Sequence, residues 1–203
     1  ALEGLSKKAR PDAWAAIESI ALEHTQSSVR AEAARLLTAN TNSVKDTLMA
    51  VTLEDGDVRV RRAALKSLAG QHRFAEEVGD FLIRHADIER SDFAFADSLR
   101  ALGSLGASGA DAFARRALQR DSYDDVVRAA ALEALAARGP HEAAAVFDAH
   151  VQPQCSARVR TAAVRAWAKY AERSPLRSEA RYLAHRALQG ALVAPWYQPR
   201  AVA

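Results

Sequence analysis

The chain has 203 residues, of which 47 are alanine, 49% are hydrophobic and 26% are charged, and its net charge is +3. This balance suits a globular chain with a real core, and the alanine excess favours helices because alanine loses least on entering one. Four isoleucines and six phenylalanines are too few to fill a sheet-based core, which excludes an all-β fold and argues against a compact α/β fold. No apolar run reaches the roughly 20 residues that span a bilayer, and a single cysteine excludes a disulfide scaffold.

Five related nine-residue segments recur along the chain at intervals of 31, 34, 33 and 32 residues. Each predicts the second helix of a helical hairpin, because its apolar residues at the first, sixth and ninth places share one helical face. The segments start at Val29, Val60, Ala94, Val127 and Val159, and the third copy is degenerate. A more variable amphipathic stretch before each segment predicts the first helix of the hairpin, over residues 11–22, 44–53, 74–85, 109–118 and 142–151.

Small, capping and helix-breaking residues define each hairpin further. The fifth place of every segment is small, which lets a neighbouring helix approach closely: Ala33, Ala64, Ser98, Ala131 and Ala163. Polar residues before the second helices are the predicted N-caps, namely Ser27, Asp57, Asp92, Asp125 and Ser156. Glycines and prolines predict the turns, at Gly70, Gly103, Gly106, Gly139-Pro140 and Pro153.

The repeat predicts an all-α fold, a right-handed α-solenoid of about five helical hairpins followed by a C-terminal capping helix. One hairpin cannot bury its apolar face alone, whereas stacked hairpins share a continuous core. We expect a single domain over residues 1–203. Its repeats are predicted at about 11–39, 42–70, 74–106, 109–139 and 141–172, with a cap at 176–192 and a tail at 193–203.

The pattern of each repeat resembles that of HEAT repeats. An acid is followed after one or two residues by Val-Arg, then by a pair of alanines and a final leucine, as in residues 57–68. Over residues 11–172 the chain is similar to the short bacterial subtype of HEAT repeats found in phycocyanobilin lyases and many adaptors. The resemblance implies the solenoid fold and says little about function.

A narrower resemblance rests on the order of the repeats. Two clear Val-Arg repeats come first. The third repeat has aromatic residues in place of Val-Arg, at residues 91–95 (Ser-Asp-Phe-Ala-Phe), and the fourth contains residues 120–128 (Arg-Asp-Ser-Tyr-Asp-Asp-Val-Val-Arg). This succession resembles the C-terminal HEAT-like domain of bacterial aminopeptidase-N-like zinc metallopeptidases. In that family the helical domain closes over the active-site chamber, while a separate domain carries His-Glu-x-x-His and Gly-x-Met-Glu-Asn motifs that this sequence lacks. The resemblance therefore implies a non-catalytic domain and carries over no catalytic residue.

One arginine recurs in each Val-Arg segment, and we call these four the repeat arginines: Arg30, Arg61, Arg128 and Arg160. One interpretation is a row of guanidinium groups along the concave face that binds acidic or phosphate groups. The other is a structural ladder, in which each arginine bonds the acid or the carbonyls of a neighbouring turn. We favour the structural interpretation, because stacking itself requires the same contact in every repeat.

Residues 152–203 carry nine Lys and Arg against two acids, whereas the residues before them carry more acids than bases. This basic end and the aromatic tail form the candidate interaction surface: Arg158, Arg165, Lys169, Arg173, Arg177, Arg181, Trp196 and Tyr197. Binding of a nucleic-acid backbone is the weaker alternative, because a net charge of +3 is small for that role. We also expect Trp167 and Tyr182 to pack within the fold rather than stack on bases.

The six histidines and Cys155 show no catalytic or metal-binding pattern. No two histidines lie three to five residues apart, as metal ligands often do. His141-Glu142 forms a single His-Glu pair, whereas the HEAT-like deoxyhypusine hydroxylases bind two irons with several such pairs. Cys155 lies in a turn before a helix with no base assigned to it. We therefore expect no metal, no cofactor and no catalytic residue in this chain.

The sequence thus favours a non-catalytic scaffold or interaction domain. The preferred hypothesis is the C-terminal domain of an aminopeptidase-N-like metallopeptidase, whose partner is the catalytic domain of the same polypeptide. The alternative is a free-standing HEAT adaptor that binds a protein or peptide on its concave face. The first residue, Ala1, indicates a fragment or a processed chain. Without a recognisable leader or membrane-spanning segment, we expect the protein in the cytoplasm.

Overall fold

The computed structural model describes residues 11–138, 143–173, 175 and 178–192, and every regular element in these ranges is helical. The α-helices are α1 (Pro11–Glu23), α2 (Ser27–Leu36), α3 (Asn42–Glu54), α4 (Val58–Leu68), α5 (Ala75–Ala86), α6 (Asp92–Leu105), α7 (Ala110–Ala117), α8 (Val126–Arg138), α9 (Ala143–His150), α10 (Ala157–Arg173) and α11 (Glu179–Leu192). Short 3₁₀ helices, His72–Phe74 and Tyr123–Asp125, precede α5 and α8. The predicted all-α class is confirmed. None of these helices has both the length and the apolar character that a membrane crossing needs.

The chain divides into two compact units, which we call unit 1 (Ala1–Ser108) and unit 2 (Gly109–Ala203). Unit 1 contains α1 to α6, which are the first three predicted hairpins. Unit 2 contains α7 to α11, which are the last two hairpins and the predicted cap. A single domain over residues 1–203 stays a prediction.

Unit 1 is a two-layer stack of three hairpins. The first helices α1, α3 and α5 pack on one another in one layer, and the second helices α2, α4 and α6 pack in the other. Hydroxyl groups also join the second helices, since Ser67 Oγ donates to the carbonyl oxygen of Ala34 at 2.8 Å and Ser104 Oγ donates to that of Ala69 at 3.1 Å. Each hairpin is therefore held to the next by both layers.

Unit 2 repeats this arrangement on a smaller scale. Helix α7 packs on α8, α9 packs on α10, and the two second helices α8 and α10 pack on each other. Helix α11 contacts both α9 and α10, so it covers the last hairpin as the predicted cap would. Its bounds fall within the predicted range 176–192, and the predicted tail 193–203 lies outside the described residues.

The predicted packing face of the second helices is buried. The five small positions are all fully buried: Ala33, Ala64, Ser98, Ala131 and Ala163. The leucines predicted beside them, among them Leu65, Leu68, Leu132 and Leu135, are also fully buried. Because small side chains let two helix backbones approach closely, the alanine excess of the sequence is a consequence of this packing.

Two predicted N-caps are confirmed. The carboxylate of Asp57 accepts a hydrogen bond from the backbone N–H of Arg59 at 2.9 Å. The hydroxyl of Ser156 accepts one from the backbone N–H of Val159 at 3.3 Å. Both bonds satisfy donors that the first turn of a helix leaves without an intrahelical partner.

The other predicted N-caps are wrong by a few residues. Ser27 is the first residue of α2, and no side chain caps that helix. Ser91, not Asp92, caps α6, because its hydroxyl accepts the N–H three residues further on. Asp125 ends a 3₁₀ turn with a φ of 52°, and Ser122 Oγ instead accepts a backbone N–H at the start of α8.

Of the predicted turn residues, some are confirmed and one is wrong. Gly106 ends α6 with a φ of 71°, a left-handed conformation that glycine adopts without steric cost. Pro153 lies in the turn between α9 and α10. The break predicted at Gly103 is wrong, because this residue is buried inside α6. Gly139 and Pro140 lie outside the described residues.

Candidate interaction surface

Three of the predicted surface residues form a row on the exposed face of α10, which we call the basic row: Arg158, Arg165 and Lys169. They lie seven and four residues apart, so all three point to the same side of the helix. The opposite face is apolar and is buried against α8, α9 and α11, with Val159 and Trp167 each 1% exposed. Burial of that face fixes the direction in which the basic row points.

The members of the basic row differ in how they are paired. Arg158 donates to the carboxylate of Asp124 at 2.6 and 3.0 Å, and both side chains are about half exposed. Asp124 has a φ of 48°, so a strained turn before α8 presents this carboxylate to α10. Arg165 and Lys169 are exposed and form no ion pair within the described residues. They are therefore available to an acidic ligand.

Of the other predicted surface residues, Arg181 does not join this row. The guanidinium of Arg181, on α11, donates to the carbonyl oxygen of Ala171 at 3.2 Å and thereby ties α11 to the end of α10. Arg173 is the last residue of α10, and Arg177, like the pair Trp196 and Tyr197, lies outside the described residues. The structure thus brings together three of the eight predicted residues.

The aromatic residues of unit 2 form part of its core. The rings of Trp167 and Tyr170 lie edge to face at 5.7 Å, and both contact Phe147 in the same geometry at 5.8 and 6.3 Å. The predicted burial of Trp167 is confirmed. The predicted packing of Tyr182 is wrong, because its side chain is 67% exposed. Tyr182 lies on α11, the last described helix, and its face is not covered by α9 or α10.

The repeat arginines of unit 1 have structural partners. Arg30 donates two hydrogen bonds to the carboxylate of Asp55, at 2.7 and 3.0 Å, and a third to the carbonyl oxygen of His24 at 2.7 Å. Arg61 repeats this pattern one hairpin later. It binds Glu89 with two bonds of 2.9 Å and the carbonyl oxygen of Asp55 at 3.0 Å. Each arginine therefore joins the turn of its own hairpin to the turn of the next.

The repeat arginines of unit 2 also bind turns of the protein. Arg128 donates to the carbonyl oxygen of Leu118 at 3.0 Å and pairs with the carboxylate of Asp125. Arg160 donates to the carbonyl oxygens of Pro153 and Cys155, at 3.0 and 2.6 Å. These contacts agree with the structural interpretation and leave the guanidinium groups occupied.

Burial and pairing shift the pKa values of the groups around this ladder. Burial tends to raise the pKa of Glu89, but the hydrogen bonds from Arg61 and from a backbone N–H outweigh it and hold this pKa below its usual value. The pKa of Asp55 is lowered in the same way, by Arg30. Burial lowers the pKa of His85, and the positive charge of Arg61 adds to that effect against the opposing charge of Glu89. These shifts favour the charged forms of Asp55 and Glu89 and the neutral form of His85 at pH 7.

Sequence reasoning missed a second group of basic residues, on the second helices of unit 1, which are exposed or partly exposed. Arg62 donates to Asp97 at 2.7 Å and lies over the ring of Phe93 at 5.4 Å, while Arg100 binds the other oxygen of Asp97 at 3.0 Å. Lys66 is exposed beside them on α4. The signal for Lys66 and Arg100 was present in the repeat alignment, because the seventh place of four segments is basic: Arg35, Lys66, Arg100 and Arg165.

The described residues hold no group of three histidines, cysteines or carboxylates placed to bind a metal. His141 and Glu142 lie outside these residues. Cys155 is half-buried in its turn, where its thiol lies 3.7 Å from the carbonyl oxygen of Ala149. A cleft of about 250 Å³ lies between α9, α10 and α11, with Asp148 and Arg186 as its charged lining residues.

Comparison with known proteins identifies the fold. No family model matches the sequence, and the comparison with curated proteins finds no match. The solved complex of CpcE and CpcF of phycocyanin lyase from Nostoc sp. PCC7120 is similar in structure, with a TM-score of 0.68 and 19% identity over 96% of this chain and 74% of that chain. Human deoxyhypusine hydroxylase in complex with glycerol aligns with a TM-score of 0.47 and 17% identity, over 99% of this chain and 85% of that one. The likeness to the lyase confirms a HEAT-like α-solenoid fold.

Proposed function

We propose that this chain is a non-catalytic interaction domain that binds an acidic segment of a protein partner through the basic row of α10. The observation that carries the proposal is the exposure of Arg165 and Lys169 on one face, with no ion-pair partner among the described residues. Rows of exposed cations attract carboxylates and speed encounter with an acidic partner. Arg158, which is already bound to Asp124, would position the edge of such a contact.

The structural likeness supports a protein as the partner. The similar lyase structure is itself a complex of two protein subunits, CpcE and CpcF. The burial of Trp167 and Tyr170 favours the same choice over nucleic acid, because neither ring is free to stack on a base. The basic row therefore has the charge that an acidic protein segment needs, without the aromatic platform of a single-strand binder.

The finer proposal concerns the identity of the partner. The order of the repeats, with aromatics at residues 91–95, supports the C-terminal domain of an aminopeptidase-N-like metallopeptidase. In that case the partner is the catalytic domain of the same polypeptide, and this domain shapes access to the active-site chamber. The alternative is a free-standing adaptor that binds a separate protein or peptide on its concave face. The aminopeptidase domain and the free-standing adaptor would have the same fold and the same candidate binding surface.

Charge reversal tests the surface. The double variant Arg165→Glu/Lys169→Glu should lose a partner that the unaltered chain captures from cell extract and cross-links at α10, as read by mass spectrometry. Lys66→Glu is the matched control, because it reverses one exposed cation on a second helix of unit 1 and should leave capture unchanged. If the double variant and the control capture the partner equally well, the basic row is not part of the contact. Capture of nucleic acid with steep salt dependence would favour the alternative ligand class.

The gene tests the identity of the partner. An open reading frame that continues upstream of Ala1 into a zinc peptidase domain would support the aminopeptidase proposal. The full polypeptide should then hydrolyse aminoacyl substrates, and the double variant should alter its preference for substrate length. A reading frame that begins near Ala1 with no peptidase domain would refute this proposal and leave the adaptor.

A further inference from the structure

An exposed aliphatic ridge lies along one edge of unit 1. The large aliphatic side chains that are exposed in the described part of the chain are Leu22, Leu53 and Ile88, which are 47%, 49% and 62% exposed. Leu22 and Leu53 are the second-to-last residues of α1 and α3, and Ile88 lies two residues after the end of α5. One such residue therefore marks the end of each first helix. Scattered exposed leucines are ordinary, but one large exposed aliphatic residue near the end of the first helix in each of three consecutive hairpins is not.

The turns that carry the ridge share one geometry. A side chain one or two residues after each aliphatic residue accepts the backbone N–H two residues further on. These acceptors are His24 at 3.1 Å, Asp55 at 2.9 Å and Glu89 at 2.8 Å. Arg30 and Arg61 then bind each of the later two turns to the hairpin before it. The ridge is held in place before any ligand arrives, which lowers the entropy cost of binding.

The charges beside the ridge are unequal along its length. Glu23 and Glu54 are exposed directly after the first two aliphatic residues, and Glu54 has no ion pair within the described residues. Near Ile88 the exposed Asp87 is offset by Arg84 and Arg90. Asp57 and Arg59, at the start of α4, neutralise each other. The ridge is therefore negative around its first two aliphatic residues and close to neutral around the third.

The spacing of the ridge selects the secondary structure of its ligand. Helices that pack side by side lie about 8–10 Å apart, so we expect successive ridge residues, at the ends of adjacent first helices, to be separated by roughly that distance. Seven residues of an α-helix advance about 10.5 Å and return to the same face. Residues on one face of a β-strand repeat about every 7 Å, which is about 1 Å below that range, whereas the helical repeat exceeds it by only about 0.5 Å, so a helix fits the spacing better.

We propose that the ridge formed by Leu22, Leu53 and Ile88 is a docking site for an amphipathic helix of a partner protein, with aliphatic residues seven apart and Lys or Arg beside the first two. This site is separate from the basic row and does not rest on the proposed function. A second copy of the chain is a poor ligand, because the carboxylates of two ridges would face each other.

A designed peptide of about 22 residues tests the proposal. It carries leucines at three positions seven apart, lysines beside two of them, and alanine and glutamine elsewhere. Binding to the whole chain is followed by fluorescence anisotropy. We expect saturable binding that weakens with salt, and at least about tenfold weaker binding when the same leucines are placed five apart. Equal binding of the two peptides would overturn the proposal.

Variants of the chain locate the site. Leu53→Ser removes the middle contact and should weaken binding at least about tenfold. The residue is half exposed, so the fold should survive, and a thermal melt checks this. Tyr182→Ser removes a side chain on α11 that is more exposed than Leu53, and it should leave binding unchanged. Glu54→Lys should weaken binding and reduce its salt dependence. Unchanged binding by Leu53→Ser would overturn the proposal, and so would a dimer of the chain that this substitution dissolves in sedimentation equilibrium.

Discussion

Replacing Arg61 with methionine tests whether the repeat arginines hold the hairpins of unit 1 together. The guanidinium of Arg61 makes two hydrogen bonds to Glu89 and one to the carbonyl oxygen of Asp55. Methionine keeps most of the apolar stem and removes the charge and all three bonds. The carboxylate of Glu89 then keeps a backbone N–H and a distant contact with His85, at 3.8 Å.

The expected cost follows from the burial of the pair. The side chain of Glu89 is 1% exposed and that of Arg61 is 17% exposed. Removing one partner of a buried ion pair costs about 3–5 kcal/mol, because the other charge is left without compensation. Since water reaches part of Arg61, we expect the lower end, about 3 kcal/mol. For a chain of this size that loss lowers the midpoint of thermal unfolding by about 6–12 °C.

The assay is urea unfolding followed by circular dichroism at 222 nm, with the free energy taken from the midpoint and slope. A double-mutant cycle adds Glu89→Gln and the combination of both substitutions. The combined variant should be more stable than the sum of the single losses implies, because it leaves no buried charge unpaired. Arg35→Met is the control. Its pair with Glu32 is 62% and 34% exposed, and such pairs contribute less than about 1 kcal/mol.

A loss of stability in Arg61→Met no larger than that in Arg35→Met would contradict a structural role for this arginine. The contact between Arg61 and Glu89 would then be replaceable by water, and the recurrence of this arginine would need a functional explanation. Additive losses in the cycle would be equally damaging, because they would show that the two side chains do not act as a pair.

Two further predictions concern packing and pH. A Cβ on Gly79 would lie 2.3 Å from the Cβ of Ala107, so Gly79→Ala should destabilise the protein by about 1–3 kcal/mol in urea unfolding. Gly190→Ala meets no atom within 4 Å and should be neutral or stabilising by up to about 1 kcal/mol. Since the folded state lowers the pKa values of His85 and Glu89, stability should fall in two steps on acidification, first below about pH 6.5 and again below about pH 4.5. An unfolding free energy that stays constant from pH 7 to pH 4 would contradict the predicted pH dependence.

The fold was predictable because one contact is repeated. The face between successive second helices requires small and aliphatic residues at fixed places, so Ala64, Leu65 and Leu68 could be assigned to the core from the repeat alone. Helix ends were less predictable. Ser91 and Asp92 are both good caps by residue type, and only the backbone geometry decides that Ser91 accepts the N–H.

The surface was predictable where charge is concentrated and not elsewhere. The excess of basic residues after residue 151 led to the basic row, although Arg181 proved to bind the end of α10 instead. The aliphatic ridge escaped notice because Leu22 and Leu53 lie in amphipathic helices, where an apolar residue is assigned to the core by default. Their exposure depends on where each helix ends. If the predicted end is wrong by two residues, an exposed side chain is assigned to the core.

Recurrence in a repeat protein has two causes, and the structure separates them. The repeat arginines recur because each binds the turns of its hairpin, so their loss should cost stability. Leu22, Leu53 and Ile88 recur although each is about half exposed or more, so burial in the core does not account for them. Their loss should therefore cost binding and leave stability unchanged. Arg61→Met and Leu53→Ser thus have opposite expected outcomes in the same two assays. If both substitutions lowered stability alone, packing would account for both recurrences and the ridge would have no role in binding.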